Sequence, residues 1–229
     1  MVTDPLGNYD TNLLRKCFQD VVYPYKEHFI VDLQYPINSI VSKHHRYYAR
    51  KALKVMTVEV CLEPSRYIND WVNLYSVLIA RHDIKGIARI SLEAFSKQLD
   101  VPGIVVFRAV HEGDTVGMVL WYTYEDRSYP FLGAYSSLGY ELHSSYALLW
   151  FAIDYFKNKV QWLDLGASAG VKNITSDGLA QFKKGWSTGT RTVYFCGRIL
   201  NPKRYKEILL TKQIASNDYF PAYRYGEYN

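Results

Sequence analysis

Residues 103–137 read "GIVVFRAVHEGDTVGMVLWYTYEDRSYPFLGAYSS", and this stretch decides the fold. Aliphatic and aromatic residues run between two turn signals, "EGD" at Glu112–Asp114 and "EDRS" at Glu125–Ser128. That pattern predicts three strands in an antiparallel meander. The middle strand, Thr115–Tyr124, is apolar on both faces. It therefore belongs inside the sheet, covered on both sides.

The segments that follow fix the connections. "SSYALLWFAIDYFKN", residues 144–158, is apolar almost all round, as a buried helix is. "VQWLDLG", residues 160–166, is the next strand. A helix joining two strands is a crossover, so this strand should run parallel to the last strand of the meander. "SDGLAQFKKG" predicts a short helix with Asp177 as N-cap and Gly185 as its stop. "TRTVYFCGRIL" is a final strand, and "NPKRYKEILL" a terminal helix capped by Asn201 with Pro202 in its first turn. Upstream, "MTVEVCLE" alternates as a half-buried strand. Pro64 opens a helix in which Tyr67, Trp71, Leu74, Tyr75 and Leu78 recur at helical spacing, and a second helix covers Ser91–Leu99. Residues 1–40, interrupted by Pro5, Pro24 and Pro36, read as an N-terminal arm with one edge strand at "HFIVDLQ". The expected organisation is that arm followed by one mixed α/β domain over residues 41–229, its mostly antiparallel sheet covered on both faces.

Composition narrows the function classes. The chain has 229 residues, 48% of them hydrophobic, with a net charge of +5. Its three cysteines, Cys17, Cys61 and Cys196, are far apart and form no Cys-x-x-Cys, so buried thiols in a reducing compartment are expected. No metal-ligand spacing, P-loop, dinucleotide fingerprint or Gly-x-Ser-x-Gly elbow occurs. The N-terminal residues show no apolar signal core, and the apolar run at Tyr146–Phe156 is too short for a membrane span. A cytoplasmic protein without a membrane span is the expectation. The positive charge is concentrated: "SKHHRYYARKALK", Ser42–Lys54, carries five Lys and Arg and no acid. With Ser42 as N-cap of a helix reaching Lys54, Lys43, Arg46 and Arg50 share one face. Such a stripe either binds phosphate or is a solvated helix surface. His44 and His45 are adjacent, diverge on a helix and make a poor metal pair.

Three stretches, "SKHHRYYARKALK", "WLDLGASAG" and "GLAQFKKGWS", in this order around the meander and crossover helix, resemble the GNAT acyltransferase superfamily in its Fem-type branch. The resemblance covers about residues 40–200. It implies a GNAT-like fold and acyl transfer, with an acyl-CoA such as acetyl-CoA as co-substrate, or with aminoacyl-tRNA as donor. The Gly-rich pyrophosphate loop of ordinary GNAT enzymes is replaced here by "GYELHSSYALL"; Fem-type relatives commonly lack that loop too.

The resemblance also implies where the chemistry sits. The donor's phosphates would meet the first turn of the crossover helix, at His143, Ser144, Ser145 and Tyr146, where N–H groups and the helix dipole attract anions. Ser144 or Ser145 as a plain cap is the alternative. The sheet would part after the meander, exposing Tyr135 on one side and Asp164 on the other. Asp164 is the candidate base or amine-orienting group, or else a strand-end cap. Tyr135 is the candidate proton donor to the leaving group, or else structural. Lys183 would reach a phosphate or complement its helix terminus, as Lys184 does. Ser42, Arg46 and Arg50 are the candidate substrate contacts. The readings are an N-acyltransferase acting on a primary amine of a small molecule, sugar or lipid, an aminoacyl-tRNA-dependent Fem-type transferase, and a non-catalytic binding protein of the same fold. No metal is required by any of them, and a homodimer is the expected assembly.

Overall fold

A computed structural model describes residues 1–86, 89–168, 178–214 and 218–227. The meander is present as β3 (Ile104–His111), β4 (Asp114–Tyr124) and β5 (Arg127–Tyr135), antiparallel throughout. β2 (Thr57–Val60) adds to its outer side, against β3. α7 (Ser144–Phe156) crosses over to β6 (Trp162–Asp164), which runs parallel to β5 as the crossover requires. Alternation along β4 serves two cores. Val119 and Trp121 face a cluster with α7, while Met118 and Leu120 face one with Trp71, Tyr75 and Phe95. Those three aromatics come from α4 (Ile68–His82) and α5 (Leu92–Leu99), the latter capped by Ser91. α6 (Ser137–Glu141) is a short extra turn ahead of α7, and α9 (Pro202–Thr211) is capped by Asn201 with Pro202 in its first turn.

The N-terminal residues depart from expectation. After α1 (Thr11–Cys17), β1 runs over Val21–Asp32 and is not an edge strand. It is inserted between β6 and β7 (Gly189–Gly197), antiparallel to both, giving the order β2-β3-β4-β5-β6-β1-β7. Ile30 and Val31, on opposite faces, are both buried, which an edge position would not achieve. Pro24, whose missing N–H argues against a central strand, is accommodated by a register shift between Pro24 and Lys26.

Other corrections are local. After the short turn α2 (Ile37–Ile40), α3 covers Lys43–Ala52, ending two residues before Lys54. Ala49 and Ala52 are buried, Leu53 is exposed, and Tyr48 packs on His143 and Tyr146. The expected Asp177 cap lies outside the described residues; α8 is Gly178–Lys184. Gly185 follows it for a packing reason: a Cβ there would lie 2.0 Å from Cε1 of His45. Cys61 and Cys196 are buried and burial pushes the Cys61 thiol up to about 12, but Cys17 is exposed.

Candidate acyl-transfer site

β5 and β6 pair only at Arg127–Trp162 and Ser128–Leu163. β5 then continues to Tyr135 while β6 stops at Asp164, so the two strand ends part. A cavity of about 130 Å³ opens there, lined by Tyr135, Ser145, Leu148, Leu165, Phe182 and Lys183 among others. Two glycines let Tyr135 lie in it. A Cβ on Gly117 would meet the Tyr135 ring at 2.8 Å, and one on Gly133 its hydroxyl at 2.8 Å. Burial, then the neighbouring Tyr140 phenol, push Tyr135 well above the ordinary phenol range. Its hydroxyl stays protonated, which suits donation of a hydrogen bond to a developing oxyanion better than release of the proton.

The first turn of α7 divides its four candidates. The N-cap is His143 in the left-handed conformation (φ 60°) with no side-chain cap bond, so neither serine is the cap. Ser145 lines the cavity. Ser144 is fully buried, and its Oγ has no hydrogen-bond partner among the described residues. Tyr146 turns away into a ring cluster with His45, Phe182 and Trp186, at centroid distances of 5.2, 5.0 and 6.0 Å. His143 faces α3, where burial and then Lys51 hold its imidazole below the ordinary value.

Asp164 is 95% shielded, with 5% of its surface exposed, and both of its oxygens are engaged. Oδ1 accepts the Gly166 N–H at 2.8 Å, and Nδ1 of His28 lies 3.0 and 2.9 Å from Oδ1 and Oδ2. It is thus at once a turn acceptor and the partner of a histidine from β1. The following loop is held twice more: Lys183 Nζ donates to the Ala167 carbonyl at 2.7 Å and Lys26 Nζ to that of Ser168 at 3.0 Å. His28 and Lys26 were not among the sequence candidates. The alternation in "HFIVDLQ" shows a strand but not its neighbour, and only that neighbour brings His28 to Asp164.

The basic stripe forms a second, separate feature. Lys43, Arg46, Arg50, Lys51 and Lys54 line a surface groove of about 720 Å³ with Asn38 and Tyr47. Among the described residues none of these five cations is paired with a carboxylate; Arg46 donates to the Asn38 carbonyl. Ser42, by contrast, is occupied. Its Oγ accepts the His45 N–H and lies 2.7 Å from His45 Nδ1, while His45 Nε2 is 3.0 Å from the Phe182 carbonyl. A carbonyl only accepts, so Nε2 carries the proton and Nδ1 accepts from the Ser42 hydroxyl. The pair is a clamp between α3 and α8. Arg46 and Arg50 lie in the groove and Ser42 does not.

This clamp gives a pH prediction. Burial, opposed by the Phe182 carbonyl, holds His45 below its ordinary value of 6.5. A histidine whose folded pKa is lowered stabilises the fold above the unfolded value, and that stability is lost as pH falls. Thermal unfolding should therefore move to lower temperature from pH 7.5 to 5.5, and His45→Gln should flatten that dependence.

Among the described residues no group of three His, Cys, Asp or Glu is placed to hold a metal ion, and no helix is long and apolar enough to cross a membrane.

Neither a family model nor a curated protein matches the sequence. Solved structures do match. FemX is similar with a TM-score of 0.65 at 14% identity, over 81% of this chain and 64% of that one. L-PGS from Bacillus licheniformis is similar with a TM-score of 0.59 at 17% identity, over 84% of this chain and 66% of that one. The C-terminal domain of a putative lysylphosphatidylglycerol synthetase from Agrobacterium fabrum gives 0.60 at 14% identity, over 83% and 64%. The chain spans just under two thirds of the length of each. At this identity the likeness establishes the fold alone, a GNAT-like fold shared with FemX and the two synthetase structures.

Proposed function

We propose that the chain is an acyl-transfer enzyme that seats the acyl end of a phosphorylated donor between β5 and β6 and delivers it to an amine. The parting of those strands over an apolar cavity, beside the start of α7, carries this reading. The residues fit such a donor. The first turn of α7 has N–H groups without partners inside the helix, and Ser145 and Lys183 both line the opening. The apolar walls Leu148 and Leu165 suit a thin acyl-bearing arm, and Tyr135 would donate to the oxyanion as the carbonyl is attacked.

In the first reading the carrier is CoA, with acetyl-CoA the simplest case, and the acceptor a primary amine on a small molecule, sugar or lipid. The second carrier is an aminoacyl-tRNA, favoured by one specific observation: five cations, none with a carboxylate partner among the described residues, in a groove far larger than one pyrophosphate needs. Fem-type likeness is compatible with both. Calorimetric titration with acetyl-CoA, longer acyl-CoAs and an aminoacylated tRNA separates them. Micromolar binding of one, weakened by Ser145→Tyr, which fills the cavity, is the expected result. Binding of none would leave the non-catalytic reading of the fold.

A further inference from the structure

We infer that His28, rather than Asp164, takes the proton from the attacking amine, with Asp164 as its positioning residue; this rests on the acyl-transfer reading above. Asp164 is poorly suited to be the base. It is buried, and its oxygens already accept from Gly166 N–H and face His28 Nδ1. A carboxylate in that role holds an imidazole in one tautomer: Nδ1 carries the hydrogen and Nε2 keeps its lone pair. Among the described residues only Nδ1 of His28 has a protein partner, and its side chain keeps 21% of its surface exposed. A third group thus orients the base, as nucleophile-activating pairs require.

The backbone makes the placement rigid. Ile30 of β1 is in register with Asp164 of β6, and His28 lies two residues back on the same face. The residue after Asp164, Leu165, lines the cavity between β5 and β6. Lys183, also at that cavity, grips the next carbonyl but one, at Ala167. Alternation puts Leu165 on the α7 face of the sheet and His28 with Asp164 on the other, so the imidazole stands at the end of β6 on the face opposite the cavity, where an amine would approach the gap between the strands. The charged groups around it are Asp164 across the ladder, Arg191 in register on β7, and Lys26 two residues back along β1.

In the step itself, the amine nitrogen bonds to the acyl carbon as its proton passes to Nε2. The bond from that carbon to the carrier's sulfur or oxygen breaks, and its electron pair leaves with the carrier. The imidazolium, balanced by Asp164, returns its proton to the leaving thiolate or alkoxide, and neutral His28 is restored.

The test measures release of the acyl group from acetyl-CoA and from an aminoacyl-tRNA, to water and to ethanolamine, across pH, alongside donor affinity. His28→Asn is the principal variant, because its amide N–H can still donate to Asp164 while no base remains. It should lower the rate by ~10²–10⁴-fold and abolish the pH dependence, with donor affinity unchanged. Asp164→Asn should lower the rate and, in ¹⁵N spectra of the imidazole, shift the proton of His28 from Nδ1 towards Nε2. Wild-type rates and pH profile in His28→Asn would overturn the role of His28 and leave the acyl-transfer reading standing. No release from either donor by the wild-type chain would remove that reading, and this inference with it.

Discussion

Trp186→Ala should lower the free energy of unfolding by about 3–5 kcal/mol, among the larger effects of any single substitution in this chain. Trp186 is fully buried. It lies directly after α8 and Gly185, edge-on to His45 at 5.2 Å and within 6.0 Å of Tyr146 and Phe182. Three elements of the site meet on it: the start of α3, the start of α7, and the helix that presents Lys183. Its removal leaves a cavity that the surrounding rings cannot fill without moving. Trp186→Phe should cost far less. The indole Nε1 has no hydrogen-bond partner among the described residues, so the smaller ring gives up some packing and also removes an unsatisfied buried donor. Denaturant unfolding of the two variants checks this. A loss below about 1 kcal/mol for Trp186→Ala would mean that the α3–α7–α8 junction is not packed as described.

On the aminoacyl-tRNA reading, replacing Arg46, Arg50 and Lys51 together by glutamine should weaken binding of that donor on the order of 100-fold near physiological salt. The estimate follows from counterion release. Each phosphate contact contributes a slope of about 0.9 in log affinity against log salt, so three contacts give a factor of ~5–6 each at that ionic strength. The slope itself should fall by about 2–3 in the variant. Folding should change little, because these side chains have no carboxylate partners among the described residues. Glutamine is preferred to glutamate because Arg50 and Lys51 lie in the last turn of α3, where negative charge opposes the helix dipole. If acetyl-CoA binds at the α7 start as proposed, its affinity should fall much less. Equal losses for both donors would show that the groove serves a single phosphate site shared by either carrier.

What was legible in the sequence follows the range of the interactions. β3 to β5 were readable because strand period, turn residues and two-sided burial are all local. The parallel placement of β6 followed from the helix that precedes it. Capping by Ser42 and Asn201 was readable from side-chain chemistry, and each accepts the expected N–H, whereas Ser91, read as the first residue of its helix, proves to be its cap. The start of α7 was not: a histidine in the left-handed conformation holds the cap position, and the serines that look like caps sit inside the helix. β1 was misplaced because nothing local tells an edge strand from an interior one when proline interrupts it. The same long-range pairing hid His28, whose partner is 136 residues away. Tyr135, Ser145 and Lys183, found by their resemblance to a known pattern, do meet at one cavity. Ser42 and Tyr146 are instead spent on packing and capping.

The most direct test of the account is methyl NMR of the leucines during titration with acetyl-CoA and with an aminoacyl-tRNA. Leu148, Leu149 and Leu165 all line the opening between β5 and β6, whereas Leu74 and Leu99 lie in the core on the other side of the sheet. A donor seated as proposed shifts the first three and leaves the other two unchanged. A donor that binds tightly without moving Leu148, Leu149 or Leu165 would place the acyl group elsewhere and contradict the account.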